Sequence, residues 1–325
     1  MARTFLHPDD ALKLVLENIE DYGNENISVL DSYNRVLTEE VFAKTDDPPF
    51  DKSSMDGYVY KDYKGEIYEL IENNIIAAGS SKNIEVGEGE CVKIMTGAMI
   101  PNGCNFVQRI EWTEEIKKDG KTFIKFTKKE NVANIIKKGN NKKIGEKILD
   151  KKFILSKDMA ILSGFGYDKI TVKNKINVAV ISSGNEIADI GADLKEGEIY
   201  DANAPMLLSR VSNLSCNGKF YGRARDDEKE IREILNKAIN ENDTVLITGG
   251  VSMGDFDYVH KVLRDIGVRQ IFHGLAMKPG KPLFFGKFGN KAIFALPGNS
   301  VSAYMTFEII VKPYILSSFG LLYNN

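Results

Sequence analysis

The stretch at residues 248–257 combines residue types that suit an anionic ligand. It holds three glycines followed by Asp255 and Asp257, and it lies between an apolar run and an amphipathic run. Glycines let the backbone turn tightly and approach a ligand, and the free amides at a helix start attract an anion. Carboxylates beside a phosphate repel it unless a divalent cation lies between them, and Mg²⁺ is the usual cation. The stretch therefore predicts a phosphate and metal site; the alternative is a helix start whose acids only offset the helix dipole.

Four polar loops follow apolar runs in the C-terminal half of the sequence. They are residues 182–186, 225–227, 248–257 and 297–300. Strand and helix patterns alternate from residue 175 onward, which predicts a doubly wound α/β domain. Ligands of such sheets bind beyond the carboxyl ends of the strands. We therefore expect the four loops to gather on one rim of the sheet.

The side chains of this rim are both acidic and basic. Acids suit a metal ion, and lysines suit phosphate or another oxyanion. Lys278 and Lys281 flank a Pro-Gly turn, and two ammonium groups directed at one point would bind a tetrahedral dianion, to which Ser302 would add a hydroxyl. The rim predicts binding or cleavage of a phosphoanhydride with Mg²⁺, and ordinary surface charge is the alternative for the lysines. The acidic candidates are Glu186, Asp226, Asp255 and Asp257.

Two loops in the N-terminal half are also rich in polar side chains. Residues 48–58 pack prolines, acids and hydroxyls around a methionine and two aromatics, and residues 95–103 expose the hydroxyl of Thr96 in a glycine turn. Loops of this density often carry function, although the acids could simply cap turns. Short β-like runs separated by turn residues between residues 59 and 127 predict a small β-rich domain.

Composition narrows the class of partner. The chain has 325 residues, a formal net charge of -3 and a pI near 5.8, so nucleic acid is not expected as the main partner. The lysine-rich residues 137–152 lack aromatics and are interpreted as a solvated linker rather than a nucleic-acid patch. No apolar signal core or run of about 20 apolar residues is present, so no membrane is expected and we place the protein in the cytoplasm.

Cysteine and histidine spacing does not predict a metal centre. Three cysteines lie far apart and fit neither a disulfide framework nor a paired-cysteine metal motif, so we interpret them as reduced core thiols. His7, His260 and His273 lack second ligands at metal spacing, and no nucleophile stands in a triad setting. Acyl transfer therefore has little support.

The pattern of apolar residues also places the elements. We predict a first helix at 8–19, a helix at 157–164 and domain boundaries near 44–49 and 173. Within the α/β domain we predict strands at 176–182, 219–222, 244–247, 283–287 and 292–296, and helices at 204–216, 228–240, after 257, and at 299–319.

Several of these stretches together resemble the molybdopterin molybdenumtransferases, the bacterial MoeA family related to the gephyrin E domain. The resemblance implies that adenylated molybdopterin and molybdate react to give the molybdenum cofactor and AMP, with Mg²⁺ or a similar cation promoting release of the nucleotide. The matching blocks are residues 48–58, 95–103, 182–186, 199–203, 225–227, 248–258, 278–282 and 296–302.

The resemblance also implies residue roles. Metal ligands would be Glu186, Asp226 and Asp257; substrate-binding residues would be Thr248, Gly249, Gly250, Ser252, Lys278, Lys281 and Ser302; catalytic residues would be Asp56, Thr96, Asp226 and Asp257. Asp56 and Thr96 would come from the β-rich domain of the other subunit, so that a homodimer shares its active site.

The family layout further implies three domains. An elongated linking domain would comprise residues 1–45 and 140–173, a β-rich domain would be inserted at 46–139, and the α/β molybdopterin-binding domain would span 174–325. Relatives usually continue into a further small β domain, which we expect this chain to lack. Two rival functions stay open: a non-catalytic molybdopterin-binding or scaffold protein of the same fold, and a Mg²⁺-dependent phosphoanhydride hydrolase.

Overall fold

The chain forms two compact units, seen in a computed structural model that describes residues 5–61, 65–80, 84–251 and 258–321. The first unit comprises residues 1–39, 150–163 and 167–325, and the second comprises residues 40–149 and 164–166. Each unit has its own six-stranded sheet. The predicted division into three domains stays a prediction.

The elements of the described chain are numbered in sequence order. The helices are α1 (Pro8–Leu16), α2 (Ser156–Gly164), α3 (Asn203–Asn213), α4 (Glu228–Glu241), α5 (Tyr258–Asp265), α6 (Ser300–Thr306) and α7 (Lys312–Ser318). The strands are β1 (Asn24–Ser28), β2 (Val41–Phe42), β3 (Lys52–Ser53), β4 (Gly57–Tyr60), β5 (Ile67–Ile76), β6 (Glu90–Ile94), β7 (Phe106–Arg109), β8 (Thr113–Lys118), β9 (Lys121–Phe126), β10 (Ile135–Ile136), β11 (Lys147–Leu149), β12 (Lys169–Lys173), β13 (Asn177–Ser183), β14 (Ile187–Ala188), β15 (Ile199–Tyr200), β16 (Asn217–Ala224), β17 (Thr244–Thr248), β18 (Arg269–His273), β19 (Phe284–Phe288) and β20 (Lys291–Leu296).

The sheet of the first unit has the strand order β16-β13-β17-β20-β19-β18. The strands from β16 to β20 are parallel, and β19 and β18 add to them in antiparallel fashion. Almost every residue of β13, β17 and β20 is buried, as expected for parallel strands with helices on both faces. The doubly wound α/β prediction is confirmed, with a mixed edge that the sequence pattern did not reveal.

Alternate residues of the sheet pack into two separate cores. Val180 and Leu246 face the core that includes α1, α3, α6 and α7. Ile181 and Ile247 face the core that includes α4 and α5. The period of two along each strand therefore supplies both layers of helices with a packing surface.

Helix α4 shows how local sequence sets an element. Asp227 caps its first turn by accepting hydrogen bonds from the amides of Lys229 and Glu230. The buried residues recur at helical spacing and face the second core. They are Ile231, Leu235, Ala238 and Ile239.

The last predicted helix is not regular. In place of one helix at 299–319, a π-helical segment at Phe307–Val311 separates α6 from α7. The first helix ends at Leu16 rather than at residue 19. A π-helical segment has i→i+5 hydrogen bonds, and apolar periodicity does not reveal so short a change in a helix that is largely buried.

The second unit contains a sheet of order β7-β4-β6-β5-β9-β8, in which only β5 and β6 pair in parallel. One face packs a cluster of aromatic rings formed by Tyr60, Tyr68, Phe106 and Phe126. The other packs aliphatic residues such as Val59 and Val92. The predicted β-rich domain is confirmed.

The lysine-rich residues 137–152 are paired with the beginning of the second unit. Strand β11 pairs with β2, the amide of Asp47 donates to the carbonyl of Lys142, and Lys137 forms an ion pair with Asp51 at 2.8 Å. The pKa of Asp51 is lowered by its hydrogen bond from Lys137 and then by one from the amide of Lys138. The prediction of a linker was therefore wrong, because the backbone of this segment pairs with the beginning of the second unit. The side chains of Lys137 and Lys138 are exposed to solvent, as expected.

All three cysteines are buried and unpaired, as predicted. Burial raises the pKa of the Cys91 thiol to about 12 and that of Cys104 to about 11. Within the residues that the structure describes, no helix is long and apolar enough to cross a membrane.

Candidate functional site

The strand order places a topological switch point between β13 and β17. From β13 the chain passes through α3 to β16, which pairs with one edge of β13. From β16 it passes through α4 to β17, which pairs with the other edge of β13. Helix α3, which comes after β13, and helix α5, which comes after β17, pack on opposite faces of the sheet. The loops at the carboxyl ends of β13 and β17 therefore diverge and leave the crevice in which doubly wound sheets bind ligands.

The turn after β17 lies directly against the loop after β13. Gly249 has a φ of +84°, and its amide donates to the carbonyl of Leu296 at 3.1 Å. A β-carbon at this position would lie 2.2 Å from the carbonyl oxygen of Ser183. Only glycine fits so close to a neighbouring backbone. Residue 249 must therefore be glycine both because its φ is positive and because a side chain would clash with the Ser183 carbonyl.

Thr248 and Gly250 complete the described part of this turn. Thr248 is 2 % exposed, and its carbonyl accepts a hydrogen bond of 3.0 Å from the Ser183 hydroxyl. A β-carbon on Gly250 would lie 2.5 Å from the Val259 side chain of α5. The predicted site residues Ser252, Asp255 and Asp257 lie outside the described residues.

Reciprocal hydrogen bonds join the loops after β13 and β16. The Asn185 side chain accepts from the Asp226 amide at 3.1 Å, and the Asp226 carboxylate accepts from the Asn185 amide at 3.4 Å. Glu186 is adjacent in sequence, and its carboxylate folds over Gly184, where a β-carbon would lie 2.4 Å from Glu186 Oε2. Two predicted metal ligands thus stand on adjoining loops at the rim.

The donor chemistry of this pair fits a hard divalent cation. Glu186 and Asp226 supply carboxylate oxygens, the ligands that Mg²⁺ prefers. Within residues 5–61, 65–80, 84–251 and 258–321, no three His, Cys, Asp or Glu side chains lie together so as to hold a metal ion. The third predicted ligand, Asp257, is outside those ranges.

The two predicted lysines lie on the loop between β18 and β19. The amide of Leu275 donates to the Lys281 carbonyl at 2.8 Å, which closes the loop. Both lysines are exposed; Lys281 lies 4.2 Å above the ring of Phe5, and none of the described residues pairs with the Lys278 ammonium. The loop is held, whereas the Lys278 head group is available to an anion.

Helix α6 lies against the same loop. A β-carbon on Gly280 would lie 2.9 Å from Thr306 of α6, and the Thr306 hydroxyl donates to the Ser302 carbonyl at 2.8 Å. Asn299 caps α6 by accepting from the Val301 and Ser302 amides. The lysine loop and the helix that carries Ser302 are therefore packed together.

Asp56 and Thr96 belong to the second unit and contact each other. The Thr96 amide donates to Asp56 Oδ1 at 2.7 Å, and the Thr96 hydroxyl donates to the same oxygen at 2.8 Å. These bonds, the amide first, hold the pKa of the Asp56 carboxyl below its usual range. Two loops 40 residues apart in sequence thus form one polar pair.

Two buried residues beneath the rim were not among the predicted site residues. Asp201 accepts from the Ser182 hydroxyl at 2.6 Å and from the first amides of α3. The Asn203 side-chain amide donates to the Gly298 carbonyl at 2.7 Å, which ties α3 to the turn before α6. An Asp two residues before a helix is a recognisable capping signal, but nothing local indicates the contact with residue 298.

Sequence comparison gives two family matches. Residues 6–166 match a family described as the MoeA N-terminal region (domain I and II). Residues 179–317 match a family described as a probable molybdopterin binding domain. Together these two regions cover most of the chain, including every predicted site residue.

Individual relatives agree with these matches. A molybdopterin molybdenumtransferase of Staphylococcus aureus (strain COL) is 32% identical over 322 residues, which are 96% of this chain and 76% of the relative. One from Staphylococcus epidermidis (strain ATCC 12228) is 32% identical over 98% of this chain and 77% of the relative. The solved structure of a molybdopterin biosynthesis MoeA protein from Pyrococcus horikoshii has 31% identity and a TM-score of 0.79, covering 98% of this chain and 80% of that one.

Proposed function

The chain belongs to the molybdopterin molybdenumtransferase family, an enzyme family of molybdenum cofactor biosynthesis, and on that premise we propose that it inserts molybdate into adenylated molybdopterin and releases AMP. The observation that carries the proposal is the pair of reciprocal hydrogen bonds between Asn185 and Asp226. They join the loops of β13 and β16 next to the switch point, where a doubly wound sheet binds its ligand.

The acidic side of the rim would act on the phosphoanhydride. Glu186, Asp226 and Asp257 would hold Mg²⁺, which when bound offsets the negative charge of the two phosphates. The hydrogen bond from the Asn185 amide keeps the Asp226 carboxylate directed at the rim. The Gly249 turn, which only glycine can form so close to the Ser183 carbonyl, would hold the loop after β17 next to the loop after β13, where the substrate would bind.

The basic side of the rim would bind molybdate. The exposed ammonium groups of Lys278 and Lys281 would face a tetrahedral dianion, and the Ser302 hydroxyl would donate to one of its oxygens. The packing of Gly280 against Thr306 supports this role, because it fixes the lysine loop relative to α6 before the anion binds.

The second unit would complete the site as part of a homodimer. The Asp56–Thr96 pair would enter the site of the other subunit, with Asp56 kept ionised by its two donors. An ionised carboxylate can accept a proton or orient water during attack on phosphorus.

The test is AMP release from adenylated molybdopterin with Mg²⁺, with and without molybdate. The proposal predicts release that depends on molybdate. Binding without release supports the non-catalytic rival, and release indifferent to molybdate supports the hydrolase. The Asp226→Asn variant should lose roughly 100-fold in rate, since it removes one preorganised charge at the reacting group. Asp168→Asn, which removes an exposed carboxylate elsewhere in the first unit, should keep the wild-type rate.

A further inference from the structure

Residues 5–7 lie beside the lysine loop between β18 and β19. Leu6 forms an isolated parallel β-bridge with Leu275. The Leu6 amide donates to the Gly274 carbonyl at 3.3 Å, and the Leu6 carbonyl accepts from the Ala276 amide at 2.7 Å. The Leu6 side chain packs against the same core as α1, which follows directly in the chain. Two backbone hydrogen bonds and an apolar contact therefore attach this segment to the lysine loop.

Phe5 precedes the bridge and covers one side of the Lys281 ammonium. Its side chain is half-buried, and Lys281 Nζ lies 4.2 Å from the centroid of the ring. An ammonium group at this distance from the face of a phenyl ring is attracted by the quadrupole of the ring. The bridge at Leu6 holds the backbone next to Phe5 against the loop, so the ring and the ammonium are kept close together.

The ring restrains the ammonium without neutralising it. Among the described residues no carboxylate forms an ion pair with Lys281, so its positive charge stays available to an anion. A carboxylate in the place of Phe5 would accept hydrogen bonds from the ammonium and compete with the anion for them. An ammonium group has three N–H donors, and a ring on one side leaves the donors on the other side to a ligand.

Lys281 and Lys278 therefore differ in what they would lose when an anion binds. A lysine side chain is flexible and loses rotamer entropy when its ammonium is fixed. Lys278 has no partner among the described residues, so it would lose this freedom only on binding. The Phe5 ring already restricts Lys281. Restricting a side chain before the ligand arrives raises affinity without any new contact to the ligand.

We propose that Phe5 is a positioning residue whose ring holds the Lys281 ammonium ready for molybdate, while the bridge at Leu6 holds Phe5 against the lysine loop. The inference rests on the proposed function and extends it to the segment before α1, which contributes no group to the reaction itself. Phe5 acts only through Lys281. The role therefore requires an aromatic face at residue 5, and an aliphatic side chain of similar size would not supply it.

The test is calorimetric titration of the full chain with sodium molybdate, without molybdopterin. Phe5→Leu keeps an apolar side chain but removes the ring, so molybdate should bind about two- to fivefold more weakly, as expected for the loss of an exposed cation–π contact. Phe5→Tyr keeps the ring face and should restore the wild-type affinity. Phe288→Leu is the matched control, because it makes the same exchange at an exposed phenylalanine at the far end of β19. It should leave the affinity unchanged.

A second readout needs no ligand. Protons above the face of an aromatic ring are shielded by the ring current, so the ε-methylene protons of Lys281 should resonate at lower chemical shift in the wild type and in Phe5→Tyr than in Phe5→Leu. NMR spectra of the full chain measure this, with the Lys281 signal assigned by its loss in Lys281→Arg. Phe288→Leu should leave the signal in place. A residue that only shaped the loop would not need an aromatic ring.

Several results would overturn the role of Phe5: a wild-type chain that does not bind molybdate, unchanged affinity in Phe5→Leu, affinity in Phe5→Tyr as low as in Phe5→Leu, or a Lys281 signal that does not move. Turnover separates this role from the proposed function, since lost ground-state binding should raise the KM for molybdate in Phe5→Leu and leave kcat unchanged. Molybdate-dependent AMP release with an unchanged KM in Phe5→Leu rejects the role and keeps the function. Molybdate binding that depends on the ring, without molybdate-dependent AMP release, keeps the role and rejects the function.

Discussion

Asn203 joins two loops of the rim through one buried hydrogen bond. Asn203 is 5 % exposed, and its side-chain amide donates to the Gly298 carbonyl at 2.7 Å. In Asn203→Asp a carboxylate would face that carbonyl, so we expect a loss of about 1–3 kcal/mol in the free energy of unfolding at pH 7. Chemical denaturation measures it. Asn290→Asp, in an exposed turn of the same unit, is the control and should unfold almost as the wild type does.

The same variant has a predicted pH dependence. The new carboxyl would be buried without a cation, which raises its folded pKa above the unfolded value of about 3.9. A group with a raised folded pKa stabilises the fold at low pH and loses that contribution as pH rises, so the deficit of Asn203→Asp should shrink on acidification. If the loss in unfolding free energy did not change with pH, the missing hydrogen bond to the Gly298 carbonyl would not be its cause.

Thr96 sets the ionisation of Asp56. Thr96→Val removes the hydroxyl but keeps the amide, which is the larger cause of the lowered pKa. We expect the Asp56 pKa to rise while staying below its ordinary value, as measured by NMR titration of the carboxyl carbon. Since the folded pKa is the lower one, the pair's contribution to stability is present above the unfolded pKa and disappears as pH falls.

Thr113→Val serves as the control for Thr96→Val, because it removes a hydroxyl that donates to the Ile110 carbonyl in the same unit. It should leave the Asp56 titration unchanged. An unchanged titration in Thr96→Val itself would mean that the hydroxyl contributes nothing to the carboxylate.

Residue types predict a chemistry for the candidate site, but they do not reveal the buried residues that support it. Glu186 and Asp226 were predicted from the polar loops that follow strands, and the structure places both on adjoining loops. Asp201 and Asn203 were missed as site residues because they act on buried backbone and hydroxyl groups from beneath the rim. Their side chains look like ordinary helix caps in sequence, and their partners are distant along the chain.

At the scale of elements, the turn after β17 depends on the absence of a side chain at Gly249. Gly249→Ala should lower the free energy of unfolding by about 2 kcal/mol or more, because positive φ is unfavourable for alanine and the β-carbon meets the Ser183 carbonyl. Gly191→Ala is the matched control, with a φ of +86° and nothing within 4 Å of the added carbon. Gly191→Ala should lower the free energy of unfolding only by the cost of a positive φ for alanine, about 1 kcal/mol.

Denaturant unfolding measures the free energy of unfolding of each alanine variant. The difference between the two losses is the contribution of the clash between the β-carbon of residue 249 and the Ser183 carbonyl. Equal losses in both would contradict the close approach of the β17 turn to the β13 loop. The comparison needs no substrate, so it tests the shape of the turn separately from its proposed function.

The degree of burial explains which strands the apolar pattern of the sequence predicted and which it did not. The strands β13, β17 and β20 appear as continuous apolar runs because both faces of the sheet are covered. The edge strands β8 and β18 were not predicted individually, since they contain charged or polar residues and are little buried: β8 has no buried residue and β18 has one, Phe272. Their assignment depends on pairing with β9 and β19, which local propensity does not report.

At the scale of the molecule, two units with separate cores should unfold in two steps. The single tryptophan, Trp112, lies in the second unit between Arg109 and Lys128, at 4.0 and 4.1 Å. The described α-helices lie in the first unit, apart from the last residue of α2. Tryptophan fluorescence therefore reports the second unit, and circular dichroism at the helical band reports the first.

We expect the two signals to give different urea midpoints, with the broader transition in fluorescence because the smaller unit exposes less surface. Trp112→Phe should abolish the fluorescence transition and leave the dichroism curve nearly unchanged. Coincident curves for the wild type would show that the two cores unfold together.

The pairing of β2 with β11 has an evolutionary consequence. The main segment of the second unit spans residues 40–149, and Val41 at its start is the partner of Leu149 at its end across the two strands. A segment whose ends lie side by side can be gained, lost or exchanged in a single genetic event without rerouting the host chain. Residues 40–149 therefore form a module that natural recombination can replace as one piece, while the rim of the α/β sheet stays encoded by the flanking sequence.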